Sequence, residues 1–133
     1  MKKQALIYGS VFGLIAVIFG ALGAHALKEL ITSSQLDSFH TGVRYQMYHA
    51  ILLIVLGLSN ISPTKMLKSI INLIILGIII FSFSIYLLST SSVTGIKIGF
   101  ILGPLTPIGG LLLISGWSLM IWMFIKQPLN NKG

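Results

Sequence analysis

Charged residues divide this chain into four long apolar runs. Positions 4–27, 45–64, 69–96 and 98–125 contain no Lys, Arg, Asp or Glu. Each run reaches or exceeds the about 20 residues that an α-helix needs to cross the hydrocarbon core of a bilayer. Hydrocarbon offers no partner for backbone N–H and C=O groups, so spanning segments of this kind must bond internally as helices. The pattern predicts an all-α integral membrane bundle of four transmembrane helices in a single domain, residues 1–133, with spans near 5–26, 42–60, 69–89 and 106–125.

Turn chemistry marks the breaks. Asn60-Ile-Ser-Pro63 closes the second run, and Ser89-Thr-Ser-Ser92 with Gly95 closes the third. Thr106-Pro107 has the form of an N-cap followed by a first-turn proline. The same residues also allow a longer last helix from about Ile98, kinked at Pro104 and Pro107. Ahead of the second run, Ser34-Gln-Leu-Asp37 matches a capping-box pattern and predicts a short interfacial helix leading into the span.

With four spans, both termini and the segment around 62–68 share one side, which carries Lys2, Lys3, Lys65, Lys68, Lys126 and Lys132 and no acid. The other side carries Lys28, Arg44 and Lys97 together with Glu29 and Asp37. Basic flanks stay cytoplasmic, so this asymmetry places both termini inside a cell (inner) membrane crossed several times. Met1-Lys-Lys ahead of an apolar run ending in Ala24-His25-Ala26 resembles a signal peptide. The run is longer than the roughly 7–15 residues of a signal's hydrophobic region and is read as a retained span.

Composition narrows the function by exclusion. Hydrophobic residues make up 55% of the 133 and charged residues 8%, which makes lipid the natural solvent and leaves no room for a soluble catalytic domain. The net charge of +7 comes from basic residues scattered singly and in pairs. That distribution suits topology and anionic lipid heads, not a nucleic-acid footprint. The absence of cysteine excludes disulfides and thiolate chemistry.

Small residues recur along the first run at Gly9, Gly13, Ala16, Gly20 and Ala24, and again at Gly95, Gly99, Gly103, Gly109, Gly110 and Gly116. Such spacing lets helices approach closely, within one chain or across a seam to a homo-oligomer or a membrane-protein partner. The third run is apolar all round, with Leu73, Ile74, Ile75, Leu76, Ile78, Ile79 and Ile80, and is expected to meet lipid.

Polar chemistry concentrates between His25 and His49. Within Thr41-Gly-Val-Arg-Tyr-Gln-Met-Tyr-His49, helical spacing stacks Arg44 with Tyr48, Tyr45 with His49 and Gln46 with His49. Thr41, Arg44, Tyr45, Gln46, Tyr48 and His49 thus form a polar collar near the outer interface, within reach of His25 and with Asp37 or Glu29 available to Arg44. One account is structural: Arg44 snorkels, the tyrosines form an interfacial belt, and His49 bonds a neighbouring carbonyl. Another makes the collar a pocket or proton path, since intramembrane ionisable groups often mark one. A metal or haem site would need His25, His40 and His49 together, and nothing in their spacing enforces that geometry. No metal ligand set, cofactor or catalytic residue is assigned. Ser82 and Ser84 read as interhelical hydrogen-bond donors. Trp117 and Trp122 ahead of Lys126 read as an aromatic anchor, and Pro107-Ile-Gly-Gly110 as a helix start with close packing.

Gly20-Ala-Leu-Gly-Ala-His-Ala-Leu27, the Thr41 to Ala50 segment, Phe81-Ser-Phe-Ser-Ile-Tyr86 and Thr106-Pro-Ile-Gly-Gly110 with Gly116-Trp117 follow one another in an order that resembles the small bacterial membrane proteins of the domain-of-unknown-function 423 family. The resemblance implies a multi-pass inner-membrane protein with no assigned reaction or ligand. One departure is Phe83, which stands where the third motif of that family usually has glycine. The expected function is a non-enzymatic structural or interaction protein of the membrane; the alternative is a small-molecule, lipid or proton binding or transport module built on the collar.

Overall fold

The computed structural model describes residues 1–95 and 99–126. Its long helices are α1 (Lys2–His25), α2 (Ser33–Leu58), α3 (Lys65–Ser89) and α5 (Gly99–Lys126), with one short turn of helix, α4 (Ser91–Thr94), between the last two. A 3₁₀ turn, Leu27–Glu29, links α1 to α2. Among the described residues there is no strand.

The helix starts explain where expectation and structure differ. Thr32 is the N-cap of α2: its hydroxyl accepts from Gln35 N–H while the Gln35 side chain accepts from Thr32 N–H. The capping box is therefore Thr32 and Gln35, not Ser34 and Asp37. The expected interfacial helix and the span starting at 42 are one continuous helix of 26 residues. Thr64 caps Leu67 N–H at 3.1 Å and starts α3 four positions ahead of the expected 69. The last helix begins by Gly99, not at 106, and runs through Pro104 and Pro107. Each proline leaves the carbonyl four residues earlier, Phe100 O and Gly103 O, without its helical N–H partner. Gly95, with φ of 69°, ends α4 in the left-handed region that glycine adopts without strain.

Two antiparallel hairpins result. In the first, α1 lies along α2, with Gly9 against Ala50 and Ile54, Gly23 against Phe39 and His40, and Gly57 of α2 against Leu6. In the second, α3 lies along α5, with Gly77 against Leu113, Gly109 against Phe81 and Gly116 against Ile74. The hairpins join where α2 meets α3, with Gly42 against Tyr86 and Ile85.

The third span exposes one apolar face, with Leu76, Ile79 and Phe83, as its composition suggests, and buries the other. Half of its most apolar stretch is buried, against 22% for α1 and 28% for α5. Ile70, Ile71, Ile74 and Ile78 form the centre of an apolar core with Leu53, Leu56, Leu113, Met120 and Met123. An all-apolar helix is what a bundle centre requires, so the pattern fits two environments and contacts decide between them.

The outer faces of α1 (Ile7, Leu14, Val17, Ile18) and α5 (Ile101, Leu111, Ile114, Ile121) are apolar and exposed. Three helical segments, Lys2–Glu29, Lys65–Ser89 and Gly99–Lys126, have the length and composition to cross a membrane. The remaining long helix, α2, carries Asp37 and Arg44 in its first half.

Candidate functional site

The expected collar separates into two sets. Gln46 is 0% exposed and His49 is 6% exposed, whereas Tyr48 is 60% exposed. Residues 46 and 49 share the inner face of α2, and residues 44, 45 and 48 point outward. His49 also lies 16 positions into α2, about 24 Å along the axis at 1.5 Å per residue, well inside the bundle and not at its outer rim.

Both ends of the Gln46 amide are engaged. Its Nε2 donates to Phe12 O of α1 at 2.8 Å, and its Oε1 accepts from Tyr86 Oη of α3 at 3.0 Å. One side chain thereby connects three helices. Tyr86 is seated in turn by Phe19 and Phe39, whose ring centroids lie 4.8 and 5.0 Å from its own. Beside it, Ser82 Oγ donates to Gly42 O at 3.0 Å, a bond that the close α2/α3 approach at Gly42 makes possible.

His49 is also engaged at both nitrogens. Trp117 Nε1–H of α5 donates to His49 Nε2 at 3.1 Å, and His49 Nδ1 lies 2.7 Å from Tyr45 O. Indole N–H only donates and a carbonyl only accepts, so Nε2 must be bare and Nδ1 must carry the proton. The bonds assign a neutral imidazole in one tautomer. Trp117, read from sequence as part of an interfacial anchor, is the partner of His49; the aromatic contact of Lys126 is Trp122, 4.8 Å from the ammonium.

In the outward set Tyr45 packs on Phe81 of α3, ring centroids 5.0 Å apart, and Arg44 makes local contacts. Arg44 Nη2 donates to Thr41 Oγ1 at 3.1 Å, Thr41 Oγ1 donates to Asp37 O, and no ion pair joins Arg44 to Asp37 or Glu29. His25 is exposed and has no hydrogen bond to α2 among the described residues; the histidine that meets the first helix is His40, whose ring sits against Gly23. No group of three metal-ligating side chains comes together among the described residues.

Among the small residues, Gly9 and Gly109 are at close helix contacts, while Gly20, Gly99 and Gly110 have ordinary spacing to a neighbour. Gly13 and Gly103 face open space, and Gly95 serves the α4 turn. Phe83 points outward, 41% exposed, and the close helix approach nearby is at Gly109 and Phe81. Lys97, Lys132 and the suggested start at Ile98 lie outside the described residues.

Sequence reasoning passes over Tyr86 as a partner of Gln46, and over Gly42, Gly57 and Gly77 as contact points. The available signal for Tyr86 was its spacing of four from Ser82, which puts both polar groups on one face of an otherwise apolar helix.

Apolar lipid-facing helices around an interior tied by neutral hydrogen bonds define a helical membrane protein. A family profile described as "Protein of unknown function (DUF423)" matches residues 19–110. The UPF0382 membrane protein YwdK of Bacillus subtilis (strain 168) is 36% identical over 126 residues, 93% of this chain and 98% of the relative. SAB0533 of Staphylococcus aureus (strain bovine RF122 / ET3-1) is 40% identical over 90% of this chain and 93% of its own. The inner membrane protein YgdD of Escherichia coli (strain K12) is 30% identical over 99% and 95%. No solved structure matches. The chain belongs to the DUF423 family of membrane proteins.

Proposed function

We propose that this is a non-enzymatic protein of the cell membrane, crossing it four times with both termini in the cytoplasm, in which Gln46, His49, Tyr86 and Trp117 act as interhelical locks. The observation that carries the reading is that the amide nitrogen and oxygen of Gln46 and both ring nitrogens of His49 each have a carbonyl, hydroxyl or indole partner within the bundle. A proton path needs a group free to change partners, and a polar pocket needs unmatched groups facing a cavity. The collar supplies neither. α2 is long enough to be the fourth span, and its buried polar face is satisfied by α1, α3 and α5 rather than by water. Of the described basic residues, Lys2, Lys3, Lys65, Lys68 and Lys126 flank helix ends on one side, against Lys28 and Arg44 with both acids toward the other, which supports the inward placement of the first side.

Two measurements test this. Replacing Gln46 by Leu should lower the thermal stability of the detergent-solubilised protein while abolishing no bound ligand; a stable variant that loses a stoichiometric ligand would defeat the structural reading. The chain has no cysteine, so single replacements Lys3→Cys and Ser33→Cys report topology cleanly. A membrane-impermeant maleimide applied to intact spheroplasts should label position 33 and spare position 3. The reverse pattern would overturn the orientation, and labelling of both would overturn the four-span count.

A further inference from the structure

A cleft of about 240 Å³ lies toward the end of the bundle opposite Met1, between Ser34, Gln35 and Ser38 of α2 and Thr106 of α5, with Ile85, Leu88 and Ser89 of α3 between them. Hydrogen bonds mark its two ends. Gln35 Nε2 donates to Ser92 Oγ at 3.3 Å on the shallow side, and Ser84 Oγ meets Thr106 Oγ1 at 2.7 Å on the deep side.

Ser89 distinguishes this cleft from a simple gap. It is 4% exposed, and its Oγ has no hydrogen-bond partner among the described residues. Helical serines ordinarily bond back to a carbonyl three or four residues earlier. Thr90 and Ser91 do so, to Tyr86 O and Leu88 O, and Ser38 bonds to Ser34 O across the cleft. Ser89 does not, so a buried donor is left over in the cleft wall, a situation that native interiors rarely leave without water or a ligand. A second set of donors lies opposite. The capping box of α2 uses the N–H groups of Thr32 and Gln35, leaving those of Ser33 and Ser34 for an outside acceptor.

The described wall is rich in donors. Among the described residues no Lys or Arg lines the cleft, and Asp37 is exposed next to Ser38. A bare phosphate is therefore a poor match, and a neutral acceptor is a good one. The cleft sits where α2 begins and α3 ends, the level at which the apolar runs give way to polar residues. In a bilayer that is the layer of glycerol and ester groups. We infer that this cleft is a lipid site in which the Ser89 hydroxyl and the backbone N–H of Ser34 donate to the ester carbonyl oxygens of a glycerophospholipid whose first acyl methylenes lie on Ile85 and Leu88. The inference is independent of the Gln46 and His49 locks, which its test leaves untouched.

The test uses the full chain in detergent, with native mass spectrometry during titration of dioleoyl phosphatidylethanolamine or the diether lipid of the same head and chains. Wild type should bind one diester molecule and prefer it several-fold over the diether, which lacks the carbonyls. Ser89→Ala should weaken diester binding about fivefold, the effect of one lost hydrogen bond, and reduce the preference for the diester. Ser38→Leu, which fills the cleft from α2, should block binding while both donors remain. Without lipid, Ser89→Ala should melt no lower than wild type, because it removes a hydroxyl that has no partner. Equal binding of diester and diether by wild type, undiminished binding in Ser89→Ala, or no lipid bound would each overturn the proposal, the last leaving water as the occupant. A lower melting point for lipid-free Ser89→Ala would overturn it too, by showing that the hydroxyl already has a protein partner.

Discussion

The seams inside the two hairpins and the joint between the hairpins are built differently. Within each hairpin, small residues bring helices into near-backbone contact: Gly9, Gly23 and Gly57 between α1 and α2, Gly77, Gly109 and Gly116 between α3 and α5. Between the hairpins the close glycine contact is Gly42 alone, and side-chain hydrogen bonds run from Ser82 to Gly42 O, from Tyr86 to Gln46 and from Trp117 to His49. Single polar ties also cross the hairpin seams, from Gln46 to Phe12 O and between Ser84 and Thr106. Lipid tails are as apolar as leucine, so burying apolar surface does little to drive helices together within a membrane. Close packing supplies attraction where the chain already holds two helices side by side. Where two hairpins must choose an orientation, directional bonds specify it, since an unmatched buried donor or acceptor penalises every other arrangement.

The largest effect should come from a packed seam. A Cβ on Gly109 would collide with the Phe81 backbone, its Cα only 2.7 Å away, and a backbone cannot swing aside as a side chain can. Gly109→Ala should destabilise the protein by about 3 kcal/mol, the upper range for overpacking, despite alanine's better helix propensity. Denaturant or thermal unfolding in a fixed detergent would measure it, and a change below about 0.5 kcal/mol would show that the α3/α5 seam is not the tight contact it is taken to be.

How far these two kinds of seam can be read from sequence follows from their range. The all-helical bundle is legible because runs free of charge are local, and α2 is the least legible of its long helices because Asp37 and Arg44 dilute its apolar run. The face of α1 is nearly legible. Choosing small residues gives 9, 13, 16, 20 and 24, whereas the buried line is Ala5, Gly9, Phe12, Ala16 and Gly23. The small-residue line follows spacings of three and four, as the buried line does up to Ala16 before a step of seven to Gly23, and only the partner helix decides that Phe12 turns in and Gly13 turns out. The locks are not legible, because Gln46 and Phe12 O are 34 positions apart and Trp117 and His49 are 68 apart, with no local pattern to pair them. Local spacing placed Gln46 and His49 on neighbouring faces correctly, yet gave them the wrong depth, as α2 begins nine positions before the expected 42.

The joint should yield a smaller loss than the seam. Gln46→Leu keeps the volume and removes two interhelical bonds, each worth about 0.6 kcal/mol on average inside membranes and rarely above about 1.7. Adding the cost of an unmatched Tyr86 hydroxyl gives about 2 kcal/mol. Gln46→Leu combined with Tyr86→Phe removes that orphan and should recover part of the loss. A double variant worse than the sum of its singles would mean that Tyr86 holds the joint by a contact other than Gln46.

The smallest effect should come from Gly13→Ala, and its sign carries the information. Gly13 has the spacing of a packing residue, yet no atom lies within 4 Å of where its Cβ would stand. In a monomer the added methyl meets only lipid, and alanine in place of a mid-helix glycine should stabilise α1 by up to about 1 kcal/mol. If the same face is instead a seam between two copies, the methyl must push the helices apart, and the variant should shift the protein toward monomer while lowering its stability. Unfolding and detergent-phase sedimentation on the one variant therefore separate the two uses of a small residue: within the hairpins glycine marks contact, and at position 13 the expected gain in stability would show glycine with no neighbour to accommodate.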